Sequence, residues 1–414
     1  MATRTRRFEW IQQGLYVGAL LLVLAPGPAY ADGSDSQADL QPADVDLTLQ
    51  GEFVGTVERA PSKFRQIALQ IRATGGGTFE AIQYLDGLPT RPARRRPAVS
   101  LIGKRHDDFL VLSGGPWAVL AQADHCLLTD RNGKRVGRLD RVHRQSPTLG
   151  ARPPKHAVVL FDGSGTDQFL QARMTEDGLL MEGADLKPMF QDFNLHLEFK
   201  LPHMPAARDQ GRANSGVYLQ SRYEVQVLDS FAMEPVNNGC GGLYRFRAPD
   251  VNMCLPPLVW QTYDIIFTAP RWAADGEKLK NARITVWHNG VKVHNDVELP
   301  NKTGAGKPEE PTLLPIRLQD HGNPVRFRNF WLIDRGAGPV GRFPIMADAQ
   351  TDEPAEQKDQ QTEEKADKPA EEHGEQAEEK ADQPAEEKSE QAEEEGSRQE
   401  PVTDGEPTET EVDS

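Results

Sequence analysis

Alternation of apolar and polar positions, rather than a helical period, runs through this chain. The cleanest case spans 192–201. Phe193, Leu195, Leu197, Phe199 and Leu201 fall on one side, with Asn194, His196, Glu198 and Lys200 on the other, as a strand with one face on a core requires. In 223–229, Val225 and Val227 oppose Glu224 and Gln226; in 316–321, Ile316 and Leu318 oppose Arg317, Gln319 and His321. Two such segments predict a sheet with a core on one side and a polar surface or cleft on the other. Residues 284–297 predict a hairpin about Asn289-Gly290, a strong signal for a type I′ turn, with His288 and His294 exposed on its flanks. Upstream, Gly75-Gly76-Gly77, Asp86-Gly87 and Asn132-Gly133 punctuate short apolar stretches such as Phe109–Leu112 and Trp117–Leu120. They predict a small β-domain over 47–145. Pro147 and Pro153-Pro154 mark a linker over 146–156. Roughly ten strands follow, enough for a two-sheet sandwich. The fold class read this way is all-β.

The two ends have another character. Arg4, Arg6 and Arg7 precede the apolar run Gly14–Ala25 and the small-residue pattern Ala29-Tyr30-Ala31. This predicts a signal peptide over 1–31, a short linker over 32–46, and an exported chain, periplasmic or secreted, with no transmembrane span after cleavage. Near the other end, 363–377 and 378–392 are two copies of one acidic repeat, and no aromatic follows Phe343. With nothing to bury, 346–414 is expected to be a disordered tail.

Charge changes the picture only once it is divided. The net charge is −16, yet residues 351–414 hold 25 acidic and 6 basic side chains, leaving 38 acidic and 41 basic elsewhere. The remainder is near neutral, which argues against nucleic-acid binding. Its small basic cluster, Arg91 and Arg94–Arg96, has no aromatic platform beside it. Nucleophilic triads, phosphate loops and dinucleotide fingerprints have no motif support. Cys240 and Cys254 sit in loop-like stretches and are candidates for a disulfide that would contribute about 3 kcal/mol. Cys126, on an apolar run, reads as a buried free thiol. Zinc-ligand spacing is absent, and no acidic loop has convincing calcium spacing.

Five stretches recur together: NSGVYLQ (214–220), YEVQVLDS (223–230), LPPLVWQTYD (255–264), WHNGVKVH (287–294) and LQDHGNPVRFRN (318–329). In this order, from about Ala157 to Asp334, they resemble the 3-keto-disaccharide hydrolase domain family. The resemblance implies a concanavalin A-like, laminin G-like jelly roll over 157–345, as in bacterial members that carry an extra N-terminal β-domain. It also implies a chemistry. The substrates would be glycosides already oxidised to a ketone at C3, which acidifies the C2 proton. A base removes that proton, the anomeric group leaves by β-elimination, and water adds. On this resemblance Glu224 and His321 are the candidate base and acid, in either order. Asn214, Gln226 and Gln319 suit hydroxyl or enolate recognition, and Arg326 an oxyanion. Tyr244 or Trp260 would stack on a sugar, and Asp320, alternating away from His321, would support the site. No cofactor is expected, although the resemblance leaves calcium or another divalent ion open, since related jelly rolls often bind it; a nicotinamide would belong to a partner sugar 3-oxidoreductase. Two other readings stay open. One is a non-catalytic carbohydrate-binding or adhesive module on the same fold. The other is a two-carboxylate glycosidase using Glu224 and Asp229, which their odd spacing places on opposite faces.

Overall fold

The computed structural model describes residues 45–90 and 99–336. The segment expected to direct export, the Arg91–Arg96 cluster and the acidic repeats fall outside them. A five-residue helix, α1 (Val45–Leu49), leads into eight strands: β1 (Gly51–Ala60), β2 (Lys63–Gly75), β3 (Thr78–Leu85), β4 (Val99–His106), β5 (Phe109–Ser113), β6 (Ala118–Ala121), β7 (His125–Thr129) and β8 (Arg135–Val142). Each pairs antiparallel with the next, and β1 pairs with β8, so the small domain is a closed barrel. Closure leaves no strand edge to protect. Its interior is apolar, with Phe53, Leu69, Ile71, Phe79, Leu112 and Leu139 fully or almost fully buried. The β2–β3 turn is made by Gly75, Gly76 and Gly77, all at positive φ (88°, 61° and 69°), a run that only glycine adopts without strain.

Fourteen further strands follow: β9 (Val158–Phe161), β10 (Phe169–Leu170), β11 (Leu180–Met181), β12 (Ala184–Leu186), β13 (Asp192–Lys200), β14 (Ser215–Leu219), β15 (Tyr223–Val227), β16 (Trp260–Thr268), β17 (Arg271–Trp272), β18 (Lys278–Lys280), β19 (Ala282–His288), β20 (Val291–Leu299), β21 (Arg317–Leu318) and β22 (Arg326–Gly336). A five-stranded sheet runs β10-β12-β21-β14-β15. A seven-stranded sheet runs β11-β22-β13-β16-β19-β20, with β9 on β22. The two form a jelly-roll sandwich around one core. Phe193, Leu195, Leu197 and Phe199 fill it from β13, and Val217, Val225 and Val227 from the opposing sheet. Burying each such side chain is worth about 1.5–3 kcal/mol. The Asn289-Gly290 turn joins β19 to β20 with φ of 50° and 78°, as its sequence predicts. Its flanks differ from expectation, because His288 and His294 are both fully buried. Burial holds both imidazoles neutral, pushing their pKa values down to about 3 and about 4. His288 packs against Phe199 and Tyr263, while His294 Nε2 bonds Gly241 O at 2.8 Å.

The segment expected as a linker forms an ordered strap across the polar face of β13. Ser146 Oγ lies 2.6 Å from Thr262 Oγ1, and Thr148 Oγ1 donates to Asp264 Oδ2 at 2.7 Å. Gly150 N donates to Glu198 Oε1 at 2.6 Å, and Ala151 O accepts from Asn329 Nδ2 at 3.0 Å. Beneath the strap His196 is completely buried, 2.6 Å from Asp264 and 3.7 Å from Glu198, with Arg328 on Glu198 at 2.7 Å. Burial alone would lower the His196 pKa, but its bonds to Asp264 and Glu198 outweigh it and raise the value to about 9. A raised folded-state pKa stabilises fully below the ordinary value of 6.5 and is lost as pH rises through about 9. The melting temperature should therefore fall between pH 6.5 and 9, by an amount corresponding to about 2 kcal/mol. His196→Gln should flatten that slope; an unchanged slope in thermal melts would refute this account.

Candidate functional site

β14 and β15 set the geometry. Their register puts Tyr218 opposite Glu224 and Gly216 opposite Gln226, while Val217 faces Val225. On the other flank β21 pairs Leu318 with Val217 and Arg317 with Tyr218. Alternation then sends Val217, Val225 and Leu318 into the core, and Tyr218, Glu224, Gln226 and Arg317 to the opposite face. The connecting turn uses Gln220 and Ser221 at φ 49° and 53°, unfavourable for these residues. Side-chain bonds from Gln220 Nε2 to Phe190 O (3.0 Å) and from Ser221 Oγ to Pro315 O (2.9 Å) offset that cost.

Glu224 is the centre of this face. It is 1 % exposed, and Gly216 makes room for it: a Cβ on Gly216 would sit 2.2 Å from Glu224 Oε1. Burial pushes the Glu224 pKa up to about 7, against a hydrogen bond from the Tyr218 hydroxyl that lowers it. Burial and the neighbouring Glu224 in turn hold the Tyr218 hydroxyl protonated. Glu224 Oε2 and Gln319 Oε1 make no hydrogen bond within the protein. Gln319 Nε2 lies 3.5 Å from the Tyr218 hydroxyl, so the two free acceptors flank one phenol. The Gln226 amide lies 2.9 Å from that of Gln210 and 3.1 Å from Glu224 Oε1. Its Nε2 donates to Gln210 Oε1, whose own Nε2 donates to Asn238 O at 3.0 Å.

The outer edge of β15 is closed by loops. Gly241 N donates to Gln226 O and Gln226 N to Gly242 O, both at 2.9 Å, and Tyr244 N donates to Glu224 O at 3.2 Å. Glu224 N donates to Thr303 Oγ1 at 2.7 Å. Tyr244, half-buried, packs its ring on Gly304.

Of the residues singled out in the sequence, Glu224, Gln226, Asn214, Gln319 and Tyr244 come together here. Asn214, 2 % exposed, donates from Nδ2 to Gln210 O at 2.7 Å. His321, Asp320, Arg326, Trp260 and Asp229 do not join them. His321 is exposed on the loop after β21 and is not hydrogen-bonded to the Glu224 set. Asp320 is exposed too, 3.7 Å from Arg173. Arg326 belongs to the other sheet, paired to Glu182 at 3.0 Å, because β22 leaves the polar face after the Gly322 turn. Cys240 and Cys254 are neighbours, hydrogen-bonded to one another, but they are free buried thiols rather than the expected disulfide. Cys126 is also free and buried. Trp260 is half-buried under Arg328, whose guanidinium carbon lies 4.0 Å from the ring centre. Asp229 is locked to Arg212 at 2.7 Å.

Sequence reasoning missed Tyr218, Gly216, Gln210 and Thr303. Alternation within Ser215–Leu219 already placed Tyr218 on the Glu224 side and could have found it; Gln210 and Thr303 lie in loops and gave no signal. Among the described residues no three His, Cys, Asp or Glu side chains converge as a metal site.

Residues 156–333 match the family model of the 3-keto-alpha-glucoside-1,2-lyase-like domain. Among solved structures, a proposed glycosyl hydrolase from Parabacteroides distasonis ATCC 8503 is 32% identical, with 44% of this chain and 84% of that one covered and a TM-score of 0.41. A second from the same organism is 18% identical, over 47% of this chain and 98% of that one, with a TM-score of 0.32. No curated protein matches the chain. The matched region holds all but the last three residues of the sandwich strands and the whole Glu224 cluster, and its function is directed at glycosides. Through residues 156–333, this chain belongs to the 3-keto-alpha-glucoside-1,2-lyase-like domain family.

Proposed function

We propose that the sandwich cleaves 3-keto-glycosides by elimination at C2, with Glu224 as the base. The observation that supports this most is a buried carboxyl, poised near neutral pH, with one oxygen free of hydrogen bonds and a tyrosine hydroxyl on the other side of the group. Ionised Glu224 takes the C2 proton, and the electron pair of that C–H bond moves to the C3 oxygen as an enolate. Return of the pair re-forms the C3 ketone, makes a C1–C2 double bond and breaks the C1–O bond to the leaving group. The departing oxygen takes a proton, for which Glu224, now protonated, and Tyr218 are the groups at hand. Water added across C1–C2 completes net hydrolysis. The Tyr218 hydroxyl and the Gln319 and Gln226 amides supply the donors on this face for the enolate oxygen. The C3 ketone itself requires a prior oxidation of the sugar by a separate oxidoreductase. A buried carboxyl with one oxygen free of hydrogen bonds favours chemistry over binding alone.

The test is incubation of the full-length chain with a 3-keto-disaccharide in deuterated water. The expected result is cleavage with deuterium entering at C2 of the keto sugar. Cleavage without exchange at C2, or equal cleavage of the unoxidised disaccharide, would sink the elimination reading.

A further inference from the structure

We infer that the N-terminal barrel is a positioning part of the glycoside site: its β2 end clamps the 204–212 loop so that Gln210, Asn214 and Gln226 form a preorganised row for sugar hydroxyls. The ligand's identity rests on the function proposed above; the clamp does not.

The barrel lies outside residues 156–333, so membership of the family assigns it no task. Two arginines reach it from the sandwich. Arg208 Nη2 donates to Thr74 O, and Arg212 Nη2 donates to Ala73 O at 3.1 Å. Arg212 is 3 % exposed. Its Nε pairs with Asp229 Oδ2 at 2.7 Å, and its Nη1 donates to Pro205 O at 2.9 Å. One guanidinium thus ties together the barrel, the start of the loop and the chain two residues beyond β15.

Gln210 sits between the two arginines, in the turn Asp209–Gly211. Its backbone oxygen accepts from Asn214 Nδ2 at 2.7 Å, its side-chain amide lies 2.9 Å from that of Gln226, and its Nε2 donates to Asn238 O at 3.0 Å. Gln210 is partly exposed and presents the row to a ligand, while Asn214 and Gln226, 2 % and 1 % exposed, hold it from behind. The backbone around it is unfavourable, since Asp209 and Ala213 both lie in the left-handed region, at φ 47° and 53°. A loop bent this way needs outside support to keep its shape. The barrel supplies it by direct contact as well as by hydrogen bonds, because Gly75 meets Ala206 so closely that a Cβ would lie 3.0 Å from Ala206 Cα and 3.2 Å from its N.

That contact gives a test made wholly in the barrel. Gly75→Ala drives a methyl group into the loop backbone. Gly76→Ala puts the same residue at a comparable positive φ with nothing within 4 Å, so it carries the backbone strain without the push. In the full-length chain, Gly75→Ala should raise KM for a 3-keto-disaccharide by about tenfold while kcat stays within about twofold. Amide hydrogen exchange across 204–214 should quicken in parallel. Gly76→Ala should match the wild type in both. Equal kinetics in the two variants would overturn the positioning role, and unchanged exchange at 204–214 in Gly75→Ala would overturn the clamp. Absence of turnover in the wild type would count against the proposed function alone, and the exchange arm would still decide the clamp.

Discussion

Replacing Glu224 by glutamine is expected to lower kcat on a 3-keto-disaccharide by about a thousandfold, the range in which loss of a positioned general base falls. The change keeps the shape of the side chain and an acceptor for the Tyr218 hydroxyl, so the fold should persist. It should even gain stability. A carboxyl raised from 4.5 to about 7 contributes fully only below pH 4.5, and that contribution is lost as pH rises through about 7. A glutamine removes that loss, so Glu224→Gln should be more stable than wild type at pH 8 by about 2–3 kcal/mol and nearly equal to it near pH 4. Activity has the opposite sign. If Glu224 acts as the base it must be ionised, so kcat/KM of the wild type should climb with pH to a plateau above about 7. A variant that turns over at even a tenth of the wild-type rate, with the same pH profile, would mean that the base is another group.

The second large effect is on stability. Arg212→Ala should cost about 3–5 kcal/mol in denaturant unfolding, because it strands Asp229 as a buried carboxylate without a partner. Asp229 has a fully buried side chain 2.7 Å from the guanidinium, and Ala73 O and Pro205 O lose a donor in the same step. Arg212→Lys should recover part of the loss by keeping the charge beside Asp229, though not the planar fork that serves three acceptors. A loss below about 1 kcal/mol for Arg212→Ala would show that Asp229 finds another donor or takes up a proton.

Local pattern carried the strands and turns. The 192–201 alternation became β13 with its apolar side chains inward, and Asn289-Gly290 turned as its composition demands. Glu224 and Gln226 were legible because a period of two fixes a face from sequence alone. What lies over a face is not a local property. The polar side of β13 looked like surface, yet Ser146–Ala151 covers it. His288 and His294 looked solvated, yet both are buried in pockets made by residues from elsewhere in the chain. Arg326 is only eight residues beyond Leu318, but the Gly322 turn moves it to the other sheet. Barrel closure was equally silent, since the β1–β8 pairing joins positions some ninety residues apart and leaves no mark on either strand. The Gln220–Ser221 turn hid for the opposite reason: its left-handed residues are held by tertiary hydrogen bonds rather than by glycine.

The capped edge of β15 bears on how the chain matures. β14 and β15 are close in sequence and can pair early in folding, but Thr303, whose hydroxyl accepts from the Glu224 amide, lies 79 residues further on. Contacts of such long range form late, after the entropy of closing a large loop has been met. On the proposed reading, the raised proton affinity of Glu224 depends on burial that the surrounding loops complete.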